Sequence, residues 1–343
     1  MLVRNDLALI ESYLSEVIHT PYFDSETLEY VNGLLAIVRA VIASHASYPA
    51  DFLLGLRRLL WASSKYLSGT TSREVPYEAV FALRKALHEW TTEHFIITTA
   101  LLEDLEYHFF GLDALQVLRN SVPRLVPPSL NRLLVQMALP KLYRNRPLYS
   151  VALYHELGHF VDSHRGVVKM SLLLQPARAN PQSEQMHRAE HFCDLLAAGY
   201  VGTAMCKLLK HIAPNDPASP SHPSTADRVS LIEQFLAGKR AAMIDLLQDA
   251  LKSLKMPALT VRFVEPEISA SFQNIRPYDI KSERELHGIL PAAWSFLEKI
   301  GPKDAVPWSS LDDDSIVKTI NDLVEKSIRN YSIKEKWNAT AGP

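Results

Sequence analysis

VALYHELGHF, residues 151–160, sets His155 and His159 four apart, with Glu156 after the first and apolar residues on both sides. On an α-helix, residues four apart lie one above the other, so both imidazoles share a face and can reach one metal ion. Neutral imidazole is a good zinc ligand, and zinc takes about four ligands at roughly 2.0–2.3 Å. Glu156 is turned about 100° from His155. It misses the metal but reaches a water bound there, which is where a general base belongs. HExxH on a helix is thus a mechanism written as spacing. Thirteen histidines make a chance match less rare. Against chance, Gly158 leaves room for a close neighbour, and apolar flanks would otherwise bury two histidines without partners.

Two histidines under-ligate the metal. The next acidic, histidine-rich stretch is HRAEHFCDLLAAGYVG, 187–202, where His187, Glu190, His191 and Asp194 compete. Glu190 and Asp194 share one helical face, continued by Ala197, Ala198 and Val201, and small residues there let this helix lie close to the HExxH helix. Glu190 is expected to bind the metal, and Asp194, one turn on, to accept a ligand histidine's ring N–H. His187 and His191 read as polar-face residues. Cys193 reads as a small buried helix residue rather than a fourth thiolate ligand or a redox switch.

A third element is SHPSTADRV, 221–229. His222 precedes a stiffening proline and is a candidate donor to the oxyanion formed when water attacks an amide. Arg228 is expected to pair with a carboxylate and fix the loop.

HELGH, then EHFCD, then SHPSTADRV, in that order, resembles the gluzincin metallopeptidases, closest to the HtpX and CAAX prenyl-protease family. The resemblance covers about 148–238. It implies that His155, His159 and Glu190 bind one Zn2+, that Glu156 activates water, that Asp194 supports a histidine ligand, and that His222 and Arg228 lie near substrate or hold the site together. This chain departs from the family in having Cys193 where alanine is usual and no spanning segment.

The wider sequence bounds the reading. Lysine plus arginine total 36 and aspartate plus glutamate 38, a formal charge of -2, so no basic field attracts nucleic acid. Two cysteines are too few for a disulfide framework and suit a reducing cytoplasm. The start, MLVRNDLALIESYLSE, lacks the apolar core of a signal peptide, and no run approaches the roughly 18–20 apolar residues of a transmembrane helix.

The 12 glycines and long leucine- and alanine-rich stretches predict a mostly α (α+β) protein. We expect a helical N-terminal region over 1–92, a zincin-like catalytic domain with a small sheet over 93–256, and a C-terminal α/β extension over 257–343. HFIITTALL (94–102) reads as a strand. LNRLLVQMALPKL (130–142) is ambiguous and would suit a sheet edge over the site. Pro123, Pro127 and Pro128 mark a loop, and Asn180–Pro181 opens a helix expected to run to about Leu209. Ser224 begins another helix, which Gly238 ends. ALTVRFVEPEIS has strand composition, and 276–288 reads as a polar loop. Trp61, Tyr66, Trp90, Trp294 and Phe296 read as core.

The reading is a zinc metallopeptidase acting on an intracellular protein or peptide. The alternatives are a regulatory or defence protease of the ImmA/IrrE type with one protein target, and a non-catalytic zinc-bound scaffold. The intact Glu156 argues against the last.

Overall fold

The computed structural model describes residues 2–20, 25–44, 47–70, 77–103, 107–112, 130, 132–177, 180–300 and 308–340. The fold is mostly α with one small sheet, as the composition predicts. Two compact units divide the chain differently from the three expected segments: 1–75 with 92–141, and 76–91 with 142–343.

In the first unit, α1 (Leu2–Val17), α2 (Ser25–Ala43) and α3 (Ala50–Ser68) bury Leu7, Leu14, Leu34, Val38, Leu56 and Leu60 in one core with Ile96 and Leu134. The strand expected at 94–102 forms β1 (Phe95–Leu102). β2 (His108–Leu112) and β3 (Leu133–Pro140) complete the sheet, in the order β1-β3-β2. β3 pairs parallel with β1, Phe95 opposite Leu133, and antiparallel with β2, His108 opposite Ala138. The 130–142 stretch therefore contains the central strand, not a sheet edge. Its near-continuous burial from Leu134 to Pro140 suits a strand paired on both sides. Pro123, Pro127 and Pro128 lie outside the described residues.

The second unit holds α4 (Tyr77–Trp90) and every later helix. α5 (Val151–Arg165) carries the HExxH residues and follows a short 3-10 turn, Pro147–Ser150. α6 (Val167–Leu174) follows directly. α7 (Pro181–Val201) opens as expected, with the Asn180 side chain accepting from Ser183 N–H. It is buried on all faces from Phe192 to Val201, which makes it the central helix of this unit. It ends at Gly202, not near Leu209, and α8 (Ala204–Ile212) begins anew, so Cys193 and Cys206 stand on different helices. α9 (Thr225–Leu236) is capped by Ser224, whose Oγ accepts from Asp227 N–H at 3.1 Å and donates to the Asp227 carboxylate at 2.6 Å. α10 (Ala242–Ser253), α11 (Ser269–Gln273), α12 (Glu283–Lys299) and α13 (Asp313–Thr340) complete the unit.

The strand expected in ALTVRFVEPEIS does not form, and no strand occurs among the described residues of 257–343. The segment is extended, but its backbone bonds to helices instead of a neighbouring strand: Arg262 N–H to Gly199 O (2.6 Å) and Val264 N–H to Arg284 O (3.0 Å). Its close approach requires glycine at Gly288, where a Cβ would meet Val264 O at 1.9 Å. The Arg262 guanidinium stacks over Trp90 and Tyr200 and pairs with Glu89. The polar stretch 276–288 is a loop only to Ser282, which caps α12 by accepting from Glu285 N–H. Of the aromatics expected in the core, Trp90 and Phe296 are buried, whereas Trp61 is 69% exposed.

Candidate metal centre

α5 and α7 pack side by side within the second unit and bring the expected residues together. His155 Nε2 lies 3.4 Å from Glu190 Oε2, and His159 Nε2 lies 3.3 Å from Glu190 Oε1. The two rings meet edge to face with centroids 4.8 Å apart. These separations exceed a good N–H···O hydrogen bond. Each imidazole faces a different oxygen of the one carboxylate. Two imidazoles and a carboxylate gathered this closely are groups of the kind that can hold a divalent metal.

Cys193 offers a second combination, since its Sγ and one ring nitrogen from each histidine lie within 4.8 Å of one another. Glu190 is the other candidate third ligand. One Glu190 oxygen faces each Nε2 atom, whereas the Cys193 thiol is fully buried and burial lifts it well above the usual thiol range.

Behind the ligands, Asp194 Oδ1 lies 3.0 Å from His155 Nδ1. This contact orients the ring and leaves Nε2 facing Glu190. Asp194 is fully buried and would be costly alone. Arg228 answers it with a fork: Nε donates to Oδ2 and Nη2 to Oδ1, both at 2.7 Å. Nη2 also lies 3.2 Å from Glu190 Oε2. One guanidinium therefore holds the carboxylates of both α7 residues in register.

The electrostatics follow from this arrangement. Burial works against a charged His155, but the Asp194 and Glu190 carboxylates outweigh it and lift the ring to about 10. Burial likewise opposes the Glu190 charge, yet the two histidines and Arg228 pull it far below the usual carboxylate range. Glu156 is half-buried, and burial raises its carboxyl above the ordinary value while the two imidazoles oppose that rise.

His222 also comes to the site. Its Nε2 lies 3.7 Å from Glu190 Oε1, and its side chain is 56% exposed. The sequence missed one contributor. His187, read as a polar-face residue, uses Nε2–H to bond Ser219 O at 2.7 Å, while Ser219 N–H bonds His222 O at 2.8 Å. His187 therefore anchors the loop that presents His222. Nothing local marks it beyond its place one turn before Glu190. His191 lies beside the cluster without joining the ligand set, and burial lowers its ring below the usual value.

Compared with known proteins, the chain matches no family model, no curated protein and no solved structure.

Proposed function

We propose that the protein is a zinc-dependent metallopeptidase of the gluzincin type, hydrolysing peptide bonds in a protein or peptide substrate. The observation that carries this reading is the convergence of His155 and His159 on the Glu190 carboxylate, with Glu156 at the adjoining helical position. When bound, zinc would polarise the scissile carbonyl and lower the pKa of a water. Glu156 takes the proton from the attacking water and returns it to the leaving amine. Asp194 keeps His155 Nδ1 protonated so that Nε2 keeps its lone pair. Arg228 fixes both carboxylates on α7, and His222, exposed beside Glu190, donates to the carbonyl oxygen as it becomes negative.

No helix among the described residues is long and apolar enough to cross a membrane. Both cysteines are free and buried, which supports placing the protein in a reducing compartment such as the cytoplasm.

Metal analysis of the purified chain, with casein cleavage by wild type and Glu156→Gln, tests the proposal. The expected result is about one zinc per chain in both proteins and at least a thousandfold slower cleavage by the variant. A chain that holds no zinc, or a Glu156→Gln variant that cleaves as fast as wild type, would overturn it.

A further inference from the structure

Trp61 and Leu9 are each 69% exposed, and they stand on two neighbouring helices of the first unit. The sequence reads Trp61 as core, yet it lines a groove of about 830 Å³ between α1 and α3. Ile10, only 4% exposed, and Tyr13 add apolar surface from the α1 side. Exposed large apolar side chains that cluster in a groove, instead of scattering singly, mark a binding surface.

The polar lining says what kind of partner fits. Asp6 is the only carboxylate in it, and Arg57 already bonds Asp6 at 2.8 Å. Arg58 and Lys65 are exposed and have no carboxylate partner among the described residues. Arg58, Trp61 and Lys65 fall at i, i+3 and i+7 on α3, which makes a cation–indole–cation stripe along one wall. In the same wall, Ser64 Oγ is buried and meets no hydrogen-bond partner among the described residues.

We propose that this groove docks an amphipathic, acidic peptide segment of a partner protein. Its leucine or aromatic side chains would seat against Trp61, Leu9 and Tyr13, and its carboxylates would meet Arg58 and Lys65. A slot between two helices suits an amphipathic helix laid into it, and Trp and Arg are the side chains that most often dominate such contacts. A bilayer is the poorer fit, because Ile10, part of the apolar lining, is only 4% exposed and so recessed from a flat surface. The proposal stands independently of the metal site.

Selection of a random peptide library displayed on phage, using the full chain as bait, tests it. Recovered peptides should pair Asp or Glu with Leu, Phe or Trp. Their affinity should fall about tenfold or more for Trp61→Ala, and similarly for the double variant Arg58→Glu, Lys65→Glu. Lysine-for-glutamate versions of the peptides should prefer the double variant to wild type. Glu156→Gln should bind the same peptides unchanged, and the exposed positions should leave Tm unaltered. Peptides without acidic residues, or peptides indifferent to Trp61→Ala, would overturn the proposal. So would phosphatidylserine vesicles that bind the chain only when Trp61 is present, which would make the groove a membrane contact. A Trp61-dependent dimer in sedimentation would make it a self-association face and equally refute the peptide.

Discussion

Gly158 of α5 faces Cys193 of α7 so closely that a Cβ on Gly158 would lie 2.6 Å from the Cys193 Cα. The obstacle is backbone, which cannot swing aside as a side chain can. The near contact lets the HExxH helix approach α7 closely enough for the Glu190 oxygens to sit 3.3–3.4 Å from both imidazoles. Gly158→Ala should push the helices apart, lowering stability by about 1–3 kcal/mol and weakening zinc binding with it. Adding Cys193→Ala should not restore either property, because the clash with the Cα remains. Thermal melts and zinc titration of the single and double variants check this, and full rescue by Cys193→Ala would contradict it.

The choice between Glu190 and Cys193 as third ligand is open to direct measurement. Zinc content should stay at about one per chain in Cys193→Ser and drop in His155→Ala, His159→Ala and Glu190→Ala. The serine hydroxyl fits the same small space, so the comparison isolates the thiolate. Zinc lost from Cys193→Ser and kept in Glu190→Ala would reverse the assignment.

Arg228 is the stabilising member of the centre. Removing it leaves Asp194 fully buried with its negative charge met only by His155. Arg228→Ala should cost about 3–5 kcal/mol of stability, since breaking a buried pair strands its partner. Arg228→Lys should recover only part of this, because an ammonium cannot reproduce the two parallel bonds. Denaturant unfolding of wild type and both variants gives the order, and an Arg228→Ala melt equal to wild type would refute it.

A second buried histidine should contribute to the acid dependence of stability. His287 is 1% exposed and bonds the Tyr154 hydroxyl through Nδ1 at 2.9 Å. Burial pushes its ring down to about 3, with the charges of Lys85 and Arg262 acting in the same direction. The folded value thus lies below the unfolded value of about 6.5, so the unfolded chain binds the extra proton between them. Stability should therefore fall as pH drops below about 6.5, by up to about 1.4 kcal/mol per unit, until the folded ring also titrates near 3. His287→Phe should be less stable at neutral pH but lose less between pH values of roughly 6.5 and 5. Taking wild type minus variant cancels the titration of other groups, and parallel slopes would rule out this role for His287.

How far the sequence discloses the fold depends on whether a feature is local. The helical spacing of His155 and His159, the Glu190–Asp194 face, the Asn180 and Ser224 caps and strand β1 each lie within a few residues, and each is legible there. The central place of β3 is not, because its partners come from 22–38 residues away and its apolar run fits either a strand or a buried helix. The extended segment at 257–268 has strand composition, but what it binds, Gly199 and Arg284, is set by packing. Trp61 is aromatic and sits at helical spacing, which marks a face without saying whether another element covers it. The joining of 76–91 to the later unit likewise rests on distant contacts such as Trp90 Nε1–H to the Tyr200 hydroxyl, 2.9 Å.

The last prediction separates a residue that touches substrate from one that only holds the site. His222 is more than half exposed, 3.7 Å from Glu190 Oε1, and carried by a loop fastened through Ser219 to His187. Its Nδ1 lies 2.9 Å from Ser221 Oγ, so the Nε2 edge is the one presented towards Glu190. An oxyanion donor removed from such a position costs the transition state and little else. His222→Ala should therefore lower kcat by about ten- to a thousandfold with zinc content and Tm nearly unchanged. Ser221→Ala, which removes the Nδ1 contact and a 3.3 Å contact with Ser219 Oγ but keeps the donor, should have a smaller effect. His187→Ala should act between them, because it loosens the loop without deleting the donor. A kcat/KM for His222→Ala equal to wild type on any cleavable substrate would reduce His222 to a loop residue. A parallel loss of zinc and Tm would show it to be structural, as Arg228 is.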